Sequence, residues 1–348
     1  MSLDVGALYA FAWRHAHRVP GAVLRGAANL AADVTWWRHG EGVRRLERNL
    51  ARVRPELDDA QLRRLSRAAM RSYLRYFAEA FSLSGSSREQ IDARVRAVGL
   101  DALVAHVGQG RAAVLALGHL GNWDLAGAWA TRNIAHVTTV AERLEPPQVF
   151  EEFLRFREGI GLTILALGDG DVFRELLRVA RAPQAGIIPL LADRDLTHSG
   201  VEVDLFGHRA RVAAGPAALA LASGAPLFAT AITYERLHGE RRRRAGTPWG
   251  LRIDFLPVEP VGADVPRADQ VRVLTQAWVD RLAECLHRRP QDWHMLQRVF
   301  VEDLDPERYA ATRRRAGELD EPAGTARAHD DGAAGAGDRE PVEQREAP

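Results

Sequence analysis

A chain of 348 residues, 46% hydrophobic and 27% charged, can bury a sizeable core in one large or two ordinary domains. Its 47 basic and 46 acidic residues leave a formal net charge of +1, which excludes the basic surplus of a dedicated nucleic-acid binder, so no nucleic-acid partner is expected. The one cysteine, Cys285, excludes an internal disulfide and any cysteine-based metal cluster, and its seven-residue spacing behind Val271 and Trp278 marks a packed core thiol.

The opening MSLDVGALYAFAWRHAHRVP carries an early acid and no small-residue cleavage site after a clean apolar core, so no signal peptide is expected. Apolar residues at three- and four-residue spacing then predict helices near 3–18, 21–38, 42–50 and 59–83. The second of these ends in Trp36-Trp37 beside Arg38 and His39, a pairing that suits either a membrane interface or packing on the main domain.

From about residue 110 short apolar runs alternate with helical patterns. Strands are expected at 112–118, 136–142, 162–168, 185–193, 201–206, 226–235 and 251–259, with helices near 122–133, 147–159, 171–180, 215–223 and 268–288. This alternation predicts an α/β fold with a mixed, largely parallel central sheet flanked by helices, and a helical N-terminal region. The uncharged stretch 212–234 is long enough to span a bilayer, but Gly215-Pro216 and Gly224-Ala225-Pro226 break it into a helix, a turn and a strand. Arg241 to Arg244 falls between two expected strands, as a solvated loop or a contact for anionic headgroups. The tail from Gly317 is rich in Gly, Pro, Ala and charge and is expected to be disordered. The expected organisation is a helical part over 1–110, an α/β core over 111–316 and a tail over 317–348.

Chemistry concentrates in VLALGHLGNWDLAGAW, where an apolar strand ends on Gly118-His119 and Asp124 follows at His-x-x-x-x-Asp spacing. Ligands of open α/β sheets bind beyond the carboxyl ends of strands. Asn122 is a suitable N-cap, which places Asp124 in the first turn of a helix. A carboxylate accepting from one ring nitrogen fixes the tautomer and leaves the other nitrogen free as a base. Gly118 and Gly121 would let backbone amides approach a substrate. No Gly-x-Ser-x-Gly elbow, phosphate-binding loop or dinucleotide fingerprint competes with this reading. His15, His17, His198 and His208 lack metal-ligand spacing, so no metal is expected. What remains is a histidine base acting on a substrate hydroxyl.

Four stretches, GHLGNWDLAGAW, TTVAERLEPPQVFEEFLRFREGIG, LLADRDLTHSGVEVDLFG followed by AAGPAALA, and PQDWHMLQ, together resemble the lysophospholipid acyltransferase superfamily. Within it they resemble the phosphatidylinositol mannoside acyltransferases of actinobacteria, related to the lipid A late acyltransferases. The likeness runs in order from about residue 1 to 305. It implies a glycerol-phosphate acyltransferase-like fold with an acyl-chain groove. It also implies transfer of a fatty acyl group, typically palmitoyl, from acyl-CoA to a mannose hydroxyl at the cytoplasmic face of the cell membrane. On this resemblance acyl-CoA is a donor substrate with no further cofactor, the acceptor is a glycolipid, and the enzyme sits peripherally on the inner leaflet. His119 is then the base and Asp124 completes its motif. Where the family usually carries glutamate, as in AERDLT, this chain reads ADRDLT, so the second acid is Asp193, one methylene shorter. Which acid orients His119, Asp124 or Asp193, stays open at this point. Arg157 and, more weakly, Ser199 match positions near the acyl donor, and Glu142 stands where it could bind sugar hydroxyls. His294 belongs to the signature without an assigned role. Another glycolipid or a lysophospholipid is an alternative acceptor, and the Asp193 departure also admits a non-catalytic lipid-binding homologue.

Overall fold

Aliphatic runs punctuated by glycine set the frame. The computed structural model describes residues 19–320 apart from 144–146, 169–170, 185, 196 and 198. The expected 3–18 helix, His15, His17, His198 and the tail beyond 320 lie outside the described residues.

The central sheet has seven strands in the order β1-β9-β8-β2-β5-β3-β4. They are β1 Val95–Val98, β2 Ala112–Leu117, β3 His136–Ala141, β4 Leu162–Ala166, β5 Gly186–Leu191, β8 Leu227–Arg236 and β9 Trp249–Pro257. Every neighbouring pair is parallel except the antiparallel β8–β9 pair. All six residues of β2 are buried, which is why AAVLAL reads as a continuous apolar run instead of an alternating one. Its two faces meet different layers. Val114 and Ala116 belong to the cluster of Ala217 from α9 (Gly215–Ser223) and of Trp278 and Leu282 from α11 (Arg267–Arg288). Leu115 and Leu117 belong to the cluster of Leu125 and Trp129 from α6 (Trp123–Asn133).

The N-terminal helices are α1 Gly21–Arg38, α2 Glu41–Val53 and α3 Asp59–Leu83. Val43, Leu46, Leu50, Ala69 and Met70 form their shared core. Asn49 on α2 ties this layer down, its Nδ2 donating to the carbonyls of Met295 and Gln297 at 2.9 Å each. The paired tryptophans part company. Trp36 donates from Nε1 to Ser66 Oγ (2.9 Å) under the Arg63 guanidinium, whereas Trp37 is 77% exposed. Among the described residues no helix is long and apolar enough to cross a membrane, and the 212–234 stretch divides into α9, a turn at Gly224 and β8 as expected.

Five strands and helices escaped the sequence reading, together with the last helix, α12 Pro306–Asp320, which runs through the start of the expected tail. They are α4 (Arg88–Arg94), β1, α5 (Leu100–Val107), β7 (His208–Val212) and α10 (Gly239–Ala245). β7 pairs antiparallel with β6 (Val201–Leu205) through a Phe206-Gly207 turn with both φ angles positive, 58° and 77°. Its charged HRARV sequence hides the alternation that buries Ala210 and Val212. The arginine run 241–244 forms a helix instead of a loop, because arginine is a good helix former and Gly246 closes the end in the left-handed region. Glu235, Glu240 and Glu89 engage Arg241, Arg243 and Arg244.

Candidate active site

In-register pairing brings the first two residues of the site together. β2 and β5 run parallel through Leu117↔Leu191, and the Ala192 N–H donates to the Leu117 carbonyl (2.8 Å). The next residue on one chain is Gly118 and on the other Asp193. A Cβ at position 118 would stand 2.5 Å from Leu120 Cδ1 and 3.1 Å from Asp193 Oδ2, so a larger residue there would push the Leu120 side chain and crowd the carboxylate. Asp193 then holds His119 twice. The His119 backbone N–H donates to Oδ2 (2.9 Å) and the ring Nδ1–H donates to Oδ1 (2.5 Å). A carboxylate can only accept, so the hydrogen sits on Nδ1 and the neutral ring keeps Nε2 free as a base.

Trp293 supplies the remaining contact, its Nε1–H donating to Asp193 Oδ2 (2.7 Å). Its segment is laced to the histidine loop by an antiparallel bridge between Leu120 and Trp293. The His294 N–H donates to the His119 carbonyl (2.8 Å) and the Gly121 N–H to the Asp292 carbonyl (3.0 Å). Asp193 is 3% exposed and the His119 side chain 34%. Burial pushes the Asp193 carboxyl up, but the charge of the His119 ring and the hydrogen bonds from His119 and Trp293 outweigh it and leave it below the ordinary carboxylate range.

Asp124 faces elsewhere. Asn122 caps α6 by accepting from the Leu125 N–H (2.9 Å), so Asp124 lies in the first turn, as the sequence suggested. Its two oxygens accept from the Tyr76 hydroxyl (2.8 Å) and from Arg157 Nε (2.7 Å). The three side chains are sealed, and the Arg157 guanidinium lies 3.9 Å from the Phe153 ring centroid. Of the two acids, Asp193 holds the ring, while Asp124 pairs with Arg157, a residue read from the sequence as a donor contact.

Beside this cluster a narrow apolar crevice of about 60 Å³ runs between α6 and the β2–β5–β3 face, with Leu115, Leu117, Trp123, Arg157 and Pro189 in its wall. Pro189 has no N–H to give, so the β3–β5 ladder stops at Val137↔Ile187 and the Thr139 hydroxyl donates to the Pro189 carbonyl instead (2.6 Å). Glu142 stands exposed one residue past β3, on the same carboxyl edge two strands from β2. Ser199 is exposed, and its Oγ bonds within its own turn to Thr197 Oγ1 (2.8 Å) and Asp195 Oδ2 (3.4 Å). Neither hydroxyl nor carboxylate is drawn into the His119 cluster.

The sequence reading missed Tyr76, Ser72 and Trp293. Tyr76 and Ser72 share one face of α3, and only their spacing within an amphipathic helix marks them. Ser72 donates to Asp292 Oδ1 (2.8 Å) and contacts His294 Nε2 (3.1 Å). Burial, with the charges of Arg75 and His119, holds the His294 ring down to about 3, so it stays neutral and serves the loop through its backbone.

These features coincide with what the chain is similar to. The model of the bacterial lipid A biosynthesis acyltransferases matches residues 4–302. The chain is 37% identical over 309 residues to a phosphatidylinositol mannoside acyltransferase of Mycolicibacterium smegmatis, covering 88% of this chain and 94% of that one. It is also 37% identical over 314 residues to the protein of the same name from Mycobacterium tuberculosis, covering 88% and 92%. An acyl donor and a lipid acceptor follow from that membership: the chain belongs to the lipid A biosynthesis acyltransferase family of lipid-synthesising enzymes.

Proposed function

We propose that this chain moves a fatty acyl group, palmitoyl in the first instance, from acyl-CoA to a mannose hydroxyl of a phosphatidylinositol mannoside. The observation that carries the reading is the His119–Asp193 pair, a partly exposed imidazole oriented by a sealed carboxylate beside an apolar crevice. His119 Nε2 takes the proton of the acceptor hydroxyl as that oxygen attacks the thioester carbonyl, a role worth about 10²–10⁴-fold in rate. Asp193 fixes the tautomer and stabilises the imidazolium. The mouth of the crevice receives the thioester end of the acyl chain. Arg157 and Ser199 lie toward the donor and Glu142 toward the sugar, while Asp124 keeps Arg157 and the first turn of α6 in place. The named relatives support the mannoside as acceptor.

The enzyme works on the cytoplasmic face of the membrane. Val23, Leu30, Val34 and Trp37, each between 41% and 77% exposed, fall at helical spacing on one side of α1, with Arg38 at its end. Such a stripe, with an exposed tryptophan, suits the headgroup boundary of a bilayer. In this reading the helical region over 1–110 seats the α/β core on the lipid.

The test is acyl transfer from palmitoyl-CoA to purified phosphatidylinositol mannoside, wild type beside His119→Ala. Product with the wild type and a loss of about a hundredfold or more in the variant supports the reaction and the residue together. Transfer to a lysophospholipid or another glycolipid, but not to the mannoside, keeps the chemistry and changes the acceptor. No transfer to any lipid leaves the non-catalytic, lipid-binding reading in its place.

A further inference from the structure

Acyl transfer through a tetrahedral intermediate needs a donor for the oxygen that turns anionic. The amides around Gly118 and Gly121 are the first candidates, and the fold has engaged three of them. His119 N–H donates to Asp193 Oδ2 (2.9 Å), Leu120 N–H to the Gly118 carbonyl (2.7 Å) and Gly121 N–H to the Asp292 carbonyl (3.0 Å). Arg157 has its Nε on Asp124 (2.7 Å) and its guanidinium sealed against the Phe153 ring. These three amides are therefore occupied before a substrate arrives.

A different donor stands in the crevice wall. Trp123 is the first residue of α6, and its ring forms a T-shaped contact with the His119 ring, with centroids 5.9 Å apart and planes at 82°. Its Nε1–H is buried and has no acceptor among the described residues. Tyr76, stacked on it at 4.1 Å, directs its hydroxyl to Asp124 instead. A buried N–H without an acceptor is costly, and a partner that arrives with the substrate would relieve that cost. Thr230 Oγ1, also buried without a partner among the described residues, sits in this wall on β8 opposite Leu117, two residues short of the histidine.

We infer that the Trp123 indole N–H is the oxyanion donor, a further catalytic residue whose assignment rests on His119 acting as the base. As His119 removes the hydroxyl proton, the acceptor oxygen bonds to the thioester carbon and the C=O π pair moves onto the carbonyl oxygen, which Trp123 holds. Collapse restores C=O and breaks the C–S bond, and the departing thiolate takes the proton from the His119 imidazolium. The products are the ester and free CoA thiol.

The experiment compares wild type, Trp123→Phe, Trp123→His and Thr230→Val in full-length protein, with His119→Ala as reference. It measures kcat and KM for palmitoyl-CoA and, separately, the affinity for S-hexadecyl-CoA, a thioether that has no carbonyl oxygen. Trp123→Phe is expected to lose about 10²–10³-fold in kcat. Its thioether affinity stays within about twofold of wild type and Trp123→His, which restores a ring N–H, recovers part of the rate. If phenylalanine prevents folding, benzothienylalanine at the same position keeps the shape and removes only the N–H. An unchanged kcat, a thioether affinity that falls as far as kcat, or the loss appearing in Thr230→Val each overturns the assignment. Transfer abolished by His119→Ala but kept by Trp123→Phe removes this proposal alone. A wild type that transfers to no lipid removes the proposal together with the reading beneath it.

Discussion

Asp193 and Asp124 are both sealed, at 3% and 1% exposure, and both accept strong hydrogen bonds, yet their surroundings give them different work. Asp193 is held by a backbone amide, an indole and an imidazole, none of which is a permanent cation. Asp124 is held by a guanidinium that never releases its proton and by a phenol whose ionisation burial pushes far out of range, with the nearby Asp124 charge adding to it. In the proposed reaction the first arrangement accommodates a proton that comes and goes on His119. The second is static. A buried carboxylate takes its role from whether its partner can titrate, more than from its own depth.

The sharpest way to break this comparison is to neutralise each acid in turn. Asp193→Asn removes the acceptor that orients His119 and is expected to cost about 10²–10⁴-fold in kcat, with a far-ultraviolet spectrum and melting temperature close to wild type. Asp124→Asn or Arg157→Ala strands one member of a buried pair and is expected to cost about 3–5 kcal/mol in urea unfolding, because an uncompensated charge is left inside. Equal stability losses at both sites would erase the distinction.

The pH dependence sharpens it next. The His294 value of about 3 in the folded chain lies below its ordinary 6.5, so the unfolded chain binds the extra proton in that window. Its contribution is therefore fully present above about 6.5 and is lost as pH falls toward 3, on the order of 1.4 kcal/mol per pH unit. The depressed Asp193 acts with the same sign at lower pH, its contribution lost as pH falls through its folded value. His294→Gln is expected to flatten the first slope in unfolding curves taken from pH 7 to pH 4, and a wild-type slope retained in the variant would rule the ring out.

The smallest expected effect comes from adding one methylene to each acid. Asp193→Glu lengthens a side chain whose partner ring is one-third exposed and free to give, so kcat falls about tenfold with the fold intact. Asp124→Glu overfills a closed pocket and is expected to cost about 1–3 kcal/mol of stability. If the order is reversed, with the longer acid unfolding the protein at 193, the two pockets are equally rigid.

Much of this was legible from residues alone. AAVLALGH announced a buried parallel strand ending on a histidine, because apolar runs and glycine breaks are local signals. GPAALALASG announced a helix and not a membrane span for the same reason. β7 and α10 were not legible, since their charged side chains carry no apolar period until partners are supplied by β6 and by Glu235 and Glu89. The site divides in the same way. His119, Asp124 and Asp193 were marked by motif and family likeness, but Tyr76 and Trp293 come from a helix and a loop far along the chain, and no spacing links them to the histidine.

By itself the sequence determined the strand–helix order, the family and the short list of chemical groups, because periodicity, capping and motif spacing act within a few residues. The packed structure alone decided that Asp193 and not Asp124 orients the ring, that the His119, Leu120 and Gly121 amides are already engaged, and that the Trp123 N–H has no acceptor among the described residues. Those outcomes depend on β2–β5 register and on the 292–294 bridge, contacts between residues about 70 to 175 positions apart that hydrogen-bond satisfaction settles only once the chain is packed.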